Sequence, residues 1–214
     1  MMKIAVIGAT GKAGNLIVKE AKERGHEVTA FVRDASKFNE VDVQAVQKDV
    51  LDLSADDVKA FDAVVNAISM PPGQEEGHVT AGRKLIEIFK NAPETRLIVV
   101  GGAGSLFVDE AQTTALIDTP DFPDLYKPTA SNQGQNLKDL KASEGLKWTF
   151  VSPAAFFDAE GKRTGSYQAA GEVMTVNAAG DSYISYPDYA IAIVDEIEQA
   201  KHINQRFSVV GEKA

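Results

Sequence analysis

The residues best suited to chemistry lie within the first fifteen. The run Gly8, Ala9, Thr10, Gly11, Lys12, Ala13, Gly14 follows directly on the apolar stretch Ile4, Ala5, Val6, Ile7. Glycine has no Cβ and tolerates positive φ, so backbone N–H groups in such a turn can approach an anion closely. A helix that starts there adds partial positive charge at its N-terminus. Strand, glycine turn and helix start together make a cradle for a pyrophosphate, with Gly8, Thr10, Gly11, Lys12, Ala13 and Gly14 as the contacting residues. About twenty residues on, where a dinucleotide-binding unit places the end of its second strand, the apolar run Glu27 to Val32 ends at Arg33. A carboxylate at that place accepts hydrogen bonds from an adenosine ribose and repels a 2′-phosphate, whereas a guanidinium pairs with the phosphate. Arg33 therefore predicts NADP(H) over NAD(H). Asp34 follows at once, and a strand one residue longer would put the acid in the ribose position and reverse the preference.

Other chemistries have little to work with. The chain has no cysteine, which excludes disulfides, a thiolate nucleophile and Cys-ligated metal. His26, His78 and His202 are scattered without metal-ligand spacing, so no metal is expected. A net charge of −9 argues against nucleic acid and anionic membranes, because binding a phosphate backbone rests on Lys and Arg. Any anion site must be local. No stretch reaches the ~18 apolar residues of a membrane span, and Met1 to Ile7 lacks the features of a signal peptide, so a cytoplasmic location is expected.

The elements that must position these residues alternate between strand and helix. Ala13, Leu16, Ile17 and Ala21 recur at helical spacing, with Gly25 placed to end the helix. Strands are predicted over 27–32, 41–46, 62–68, 95–100, 147–151 and 206–210. Helices are predicted over about 55–60, from Gly82 to near Asn91 on the stripe Gly82, Leu85, Ile86, Phe89, and over 129–143. A last helix starts at Ser185, Pro187, Asp188 with capping-box spacing and buries Ala190, Ile193, Val194 and Ile197. This alternation implies right-handed crossovers and a doubly wound α/β fold: a parallel sheet with helices on both faces, carrying a small C-terminal lobe built from insertions. One domain over 1–214 is expected. Ligands of such sheets bind beyond the carboxyl ends of the strands, so the loops after Ile7, Val32, Ile68, Val100 and Val151 should converge. Two segments are placed to meet a substrate. One is the acidic, proline-containing 106–128, too long and aperiodic to be an idle loop; the other is 153–186.

The Gly8-x-x-Gly11-x-x-Gly14 spacing resembles that of the atypical short-chain dehydrogenase/reductase superfamily, whose NAD(P)-binding members include the NmrA-like proteins. The likeness extends to Val100–Leu106, to Ser152, Pro153, Ala154, to Asp118–Pro123 and to Arg163, Thr164, Gly165. Over the whole chain it is similar to the YwnB-like group of bacterial NADH-flavin reductases. The resemblance implies a Rossmann fold in which Asp49 and Val50 flank the adenine and Ala67 and Ile68 line the adenosine side. It also implies that Gly101, Gly102, Pro153, Ala154 and Phe156 lie against the cofactor, and it places Ser105 near the superfamily's serine position. The superfamily's usual catalytic pair, a tyrosine with lysine four residues on, is missing: none of Tyr126, Tyr167, Tyr183, Tyr186 or Tyr189 has lysine at that spacing. Carbonyl reduction would need a relocated acid such as Tyr126, with Lys127 beside it. Hydride transfer to a free flavin (FMN or FAD as substrate) or to a quinone-like acceptor does not, because the proton can come from solvent. The expected activity is thus an NADPH-dependent reductase of such a small molecule. The alternative is a non-catalytic NADP(H)-binding redox sensor of the NmrA type, acting through a protein partner.

Overall fold

In the computed structural model, which describes residues 1–214, the chain winds an eight-stranded sheet. Its strands are β1 (Lys3–Ile7), β2 (Glu27–Val32), β3 (Gln44–Gln47), β4 (Ala63–Asn66), β5 (Arg96–Val100), β6 (Lys147–Ser152), β8 (Gln168–Ala170) and β10 (Gln205–Val210), in the spatial order β3-β2-β1-β4-β5-β6-β10-β8. All neighbours are parallel except β8, which runs antiparallel to β10. A separate parallel ribbon pairs β7 (Phe156–Asp158) with β9 (Tyr183–Ser185). The helices are α1 (Lys12–Glu23), the single turn α2 (Ala55–Val58), α3 (Gly77–Lys90), α4 (Lys127–Lys141) and α5 (Tyr186–Gln199). This is the doubly wound Rossmann arrangement.

The central strand shows why the sheet is covered on both sides. Successive residues of β1 point to opposite faces, and all are apolar after Lys3. Ile4 and Val6 join the core under α1 and α5, with Ile17, Val18, Ala190 and Ile193. Ala5 and Ile7 join the core under α3 and α4, with Leu85, Phe89, Leu137 and Leu140. A strand buried on both faces reads as a continuous apolar run rather than an alternation. Strand order reverses between β1 and β4, so the switch point of the sheet lies at the carboxyl end of β1, where Gly8 leaves the strand.

Several boundaries differ from those predicted. The third strand starts at Gln44, not Val41, because Val41 and Asp42 form a turn in which Asp42 takes φ +61°. The fourth covers Ala63–Asn66 rather than 62–68, and α2 ends at Val58 rather than Ala60. Helix α4 starts at Lys127, not Thr129: Pro128 sits in its first turn, where a missing N–H costs nothing. The 106–128 segment is stitched down rather than open. Phe107 bridges both Ala115 and Val173, and its N–H and C=O pair with Glu172 and Met174 at 2.9 and 2.8 Å. The expected C-terminal lobe is divided: the β7–β9 ribbon stands by itself, while β8 extends the main sheet.

At the start of α5, Ser185 Oγ caps the Asp188 N–H at 3.2 Å. The Asp188 carboxylate, wholly buried, does not complete a capping box. It accepts from Thr164 N–H (3.0 Å), Thr164 Oγ1 (2.7 Å) and Gly165 N–H (2.9 Å), which fixes the Arg163-Thr164-Gly165 run.

Candidate dinucleotide site

At the switch point the glycine turn closes on itself. Gly8 has φ +80°, and a Cβ there would stand 2.7 Å from the Ala67 carbonyl oxygen beyond β4. Gly11 N–H donates to Gly8 O at 3.0 Å. A Cβ on Gly14 would be driven into the Gly8 carbonyl. All of these neighbours are backbone, so the turn admits no side chain at either position without moving the chain. What remains is a helix N-terminus and a bare backbone facing outward, which is the geometry that takes a pyrophosphate.

A cavity of about 740 Å³ opens along this edge. Its middle is formed by Ile7, Gly8, Thr10 and Gly11, and one end by Arg33, Lys48, Asp49, Val50 and Leu51, with Ile68 beyond β4. The far wall is Met70, the loop Gly73–Glu76, the first turns of α3 with Thr80, and Pro128 and Asn132 of α4. Seven of the sequence-predicted residues thus line one space: Gly8, Thr10, Gly11, Arg33, Asp49, Val50 and Ile68.

Arg33 is the first residue past β2 and makes no hydrogen bond or ion pair within the protein; of the two cations in the wall, Lys48 is engaged by Asp57 at 2.7 Å. The Asp34 carboxylate is turned away from the cavity. It caps the next turn, accepting from Ser36 N–H at 3.0 Å and Ser36 Oγ at 2.6 Å, and those bonds hold it below the usual carboxylate range. A shallower depression of about 470 Å³, lined by Arg33, Gln47, Lys48, Asp49 and Asp52, adjoins this end. Asp49 accepts from the Leu51 N–H at 2.9 Å, which fixes the loop that presents Val50. Across the cavity, both carboxylate oxygens of Glu75 accept from the Gly73 N–H at 3.0 Å, and this lowers the Glu75 pKa.

The other predicted residues lie outside this cavity. Ala67, Gly14, Pro153 and Ala154 are buried beneath the edge, and Ala13 is half-buried on α1. Gly101 is packed against the Phe150 ring and Gly102 against the Gln133 amide. Lys12 is exposed, its Nζ 2.5 Å from Glu160 Oε1, and that hydrogen bond raises its pKa. Phe156 is 57% exposed on β7.

The three residues named for catalysis are not assembled into an acid. Arg206 on β10 donates to both Ser105 Oγ and Ser105 O at 3.1 Å, while also reaching Ser152 Oγ and the Glu172 carboxylate. Ser105 is thus engaged in holding its loop. Lys127 Nζ pairs with Asp124 at 2.7 Å on the surface, and Tyr126 is 59% exposed. Four residues after Tyr126, where the superfamily has lysine, Ala130 is buried against Gly104. The hydroxyls of Tyr167, Tyr183 and Tyr189 donate to Asp195, Asp158 and the Val151 carbonyl.

Thr80, Asn132 and Lys48 also line the cavity, beyond the residues expected from the sequence. Lys48 carried a usable signal, a cation beside Asp49 at the end of a predicted strand. Asn132 and Thr80 carried none, since facing on a helix is settled by packing.

Comparison with known proteins agrees with this geometry. Residues 8–200 match the protein family described as NAD(P)H-binding. The chain is 66% identical to the uncharacterized protein YwnB of Bacillus subtilis over 99% of both chains. It is 26% identical to the NAD(P)H azoreductase of Xenophilus azovorans over 99% of this chain and 68% of that one. The crystal structure of SP1627 from Streptococcus pneumoniae TIGR4, described as a candidate NADH-flavin reductase, superposes with a TM-score of 0.94 at 45% identity, over 99% of this chain and 100% of that one. No helix is long and apolar enough to cross a membrane, and no group of His, Cys, Asp and Glu could hold a metal ion.

Proposed function

The chain belongs to the NAD(P)H-binding family, and from that premise we propose that it is an NADPH-dependent reductase that passes hydride to a free flavin or a quinone-like acceptor. The observation that carries the cofactor choice is one cavity joining the glycine turn to an unpaired Arg33, with Asp34 occupied elsewhere. In this reading the backbone around Gly8 and Gly11 holds the pyrophosphate, and Arg33 pairs with the 2′-phosphate. Asp49 and Val50 border the adenine. When bound, the reduced nicotinamide supplies the hydride.

The residues outside the cavity support this choice of acceptor class. With Ala130 in place of a lysine and Ser105 tied to Arg206, no side-chain pair is set to deliver a proton to a carbonyl oxygen. Flavins and quinones take their proton from water once reduced, so the protein has only to orient the two rings and exclude competing acceptors. The names of the azoreductase and of SP1627 point to the same kind of conjugated acceptor.

The test is to follow NADPH oxidation by purified protein with FMN, FAD, riboflavin and small quinones, beside equilibrium binding of NADPH. Turnover with a conjugated acceptor is expected. Tight NADPH binding with no turnover would point instead to the redox sensor that the missing Tyr/Lys pair also allows.

A further inference from the structure

Phe156 lies four residues past Ser152, the end of β6, on the ribbon that β7 forms with β9 and outside the cavity of the glycine turn. It is 57% exposed although its strand is paired. Its ring leans on Tyr183 of β9, with centroids 5.7 Å apart and planes at 49°. Lys213 Nζ stands 5.1 Å from the Tyr183 ring centroid and 6.0 Å from that of Phe156. The assembly is braced from behind. Tyr183 OH donates to Asp158 at 3.0 Å, Phe156 N–H to Ser182 O at 2.9 Å, and Gly211 N–H to Tyr183 O at 2.7 Å. Asp181 steadies the ammonium at 3.2 Å, and both members of that pair are about half exposed.

We propose that Phe156, backed by Tyr183, is the platform on which the acceptor's planar ring docks, and that Lys213 selects an acceptor carrying an anionic group: among free flavins, FMN rather than riboflavin. The inference rests on the reductase reading above. An exposed aromatic ring on a rigid strand offers a stacking face at little cost in conformational entropy. In a chain of net charge −9, an anionic acceptor needs a cation at its docking point, and a cation held among aromatic rings is already oriented. Exposed lysine pairs such as Lys213–Asp181 contribute little to stability, so the ammonium can exchange Asp181 for a phosphate. Hydride would leave C4 of the dihydronicotinamide for N5 of the isoalloxazine, and water would supply a proton to N1. NADPH is oxidised to NADP⁺ and FMN is reduced to FMNH₂.

The experiment compares wild type with Phe156→Ala, Phe156→Trp and Lys213→Met, using FMN and riboflavin in two readouts. One is steady-state NADPH oxidation; the other is quenching of flavin fluorescence on binding. Phe156→Ala should raise KM and weaken binding about tenfold for both flavins, with Trp restoring them. Lys213→Met should raise KM roughly fivefold for FMN, should leave riboflavin unchanged, and should lose its effect at high salt. Equal effects of Lys213→Met on the two flavins, or none from Phe156→Ala, overturn the platform even where turnover is intact. Flavin quenching that responds to the variants as stated, with no NADPH oxidation, overturns the reductase reading and leaves the platform standing.

Discussion

Removing the Arg33 guanidinium tests the proposed contact with the 2′-phosphate apart from the rest of the cofactor. Arg33 has no partner in the protein, so Arg33→Ala breaks nothing in the fold, and any loss of dinucleotide affinity comes from the ligand. A charge-assisted hydrogen bond contributes about 1.5–3 kcal/mol. The side chain is solvent-exposed, which places the loss at the lower end, ~1.5 kcal/mol or roughly tenfold in Kd for NADPH. NADH has no 2′-phosphate and should lose less than about twofold. The assay is equilibrium titration of both nucleotides at low and high ionic strength, where the NADPH loss should shrink as salt screens the pair. Asp34→Ala is the control: with its carboxylate on Ser36, removing it should leave the NADPH-to-NADH ratio unaltered. Equal losses for the two nucleotides in Arg33→Ala, or a ratio that moves in Asp34→Ala, would refute the assignment.

Three further outcomes follow from the same geometry. Gly14→Ala, whose methyl would meet the Gly8 carbonyl, should weaken NADPH and NADH alike and destabilise the fold by about 1–3 kcal/mol; titration and urea unfolding read the two effects. Asp188→Asn, which disturbs the bonds from Thr164 and Gly165 to a wholly buried carboxylate, should cost about 1–3 kcal/mol in denaturant unfolding. Burial opposes ionisation of Glu172, but the hydrogen bonds and charges of Arg206 and Lys141 outweigh it and pull its pKa below the ordinary value. Its contribution is therefore complete above the unfolded pKa of about 4.3 and is lost as pH falls through the lower folded value. Glu172→Gln should flatten that part of the acid limb of stability, measured by thermal melts at stepped pH, and an unchanged limb would contradict the sign.

The parts of the fold and site that were legible in the sequence are those whose chemistry is local. The glycine turn could be read because much of its constraint is local: the positive φ of Gly8 and the contact of Gly14 with the Gly8 carbonyl lie within seven residues, although the Ala67 carbonyl that crowds Gly8 does not. Arg33 could be read because a strand end is marked by the loss of apolar character. Helix α5 was visible from Ser185 and its apolar stripe, though not that Asp188 would serve Thr164 and Gly165 rather than its own helix. What stayed hidden depends on contacts distant in sequence. The hold of Arg206, 101 residues away, on both the hydroxyl and the carbonyl of Ser105 is one such contact. The antiparallel pairing of β8 with the last strand follows from where the 168–170 segment returns, which no local pattern encodes. Asn132 lines the cavity because α3 and α4 pack side by side, and a helical stripe does not say which neighbour covers its flank.

A single turnover reads out whether the dinucleotide proposed to bind at the glycine turn and Arg33 is used rather than merely bound. Protein, NADPH and FMN are mixed anaerobically at comparable concentrations, and the nicotinamide and flavin absorbances are followed together by stopped flow, with NADPH and with NADPH deuterated at the transferred position. Both signals should be lost in equimolar amounts at one shared rate that slows on deuteration. Persistence of both absorbances at saturating, demonstrably bound NADPH would contradict it.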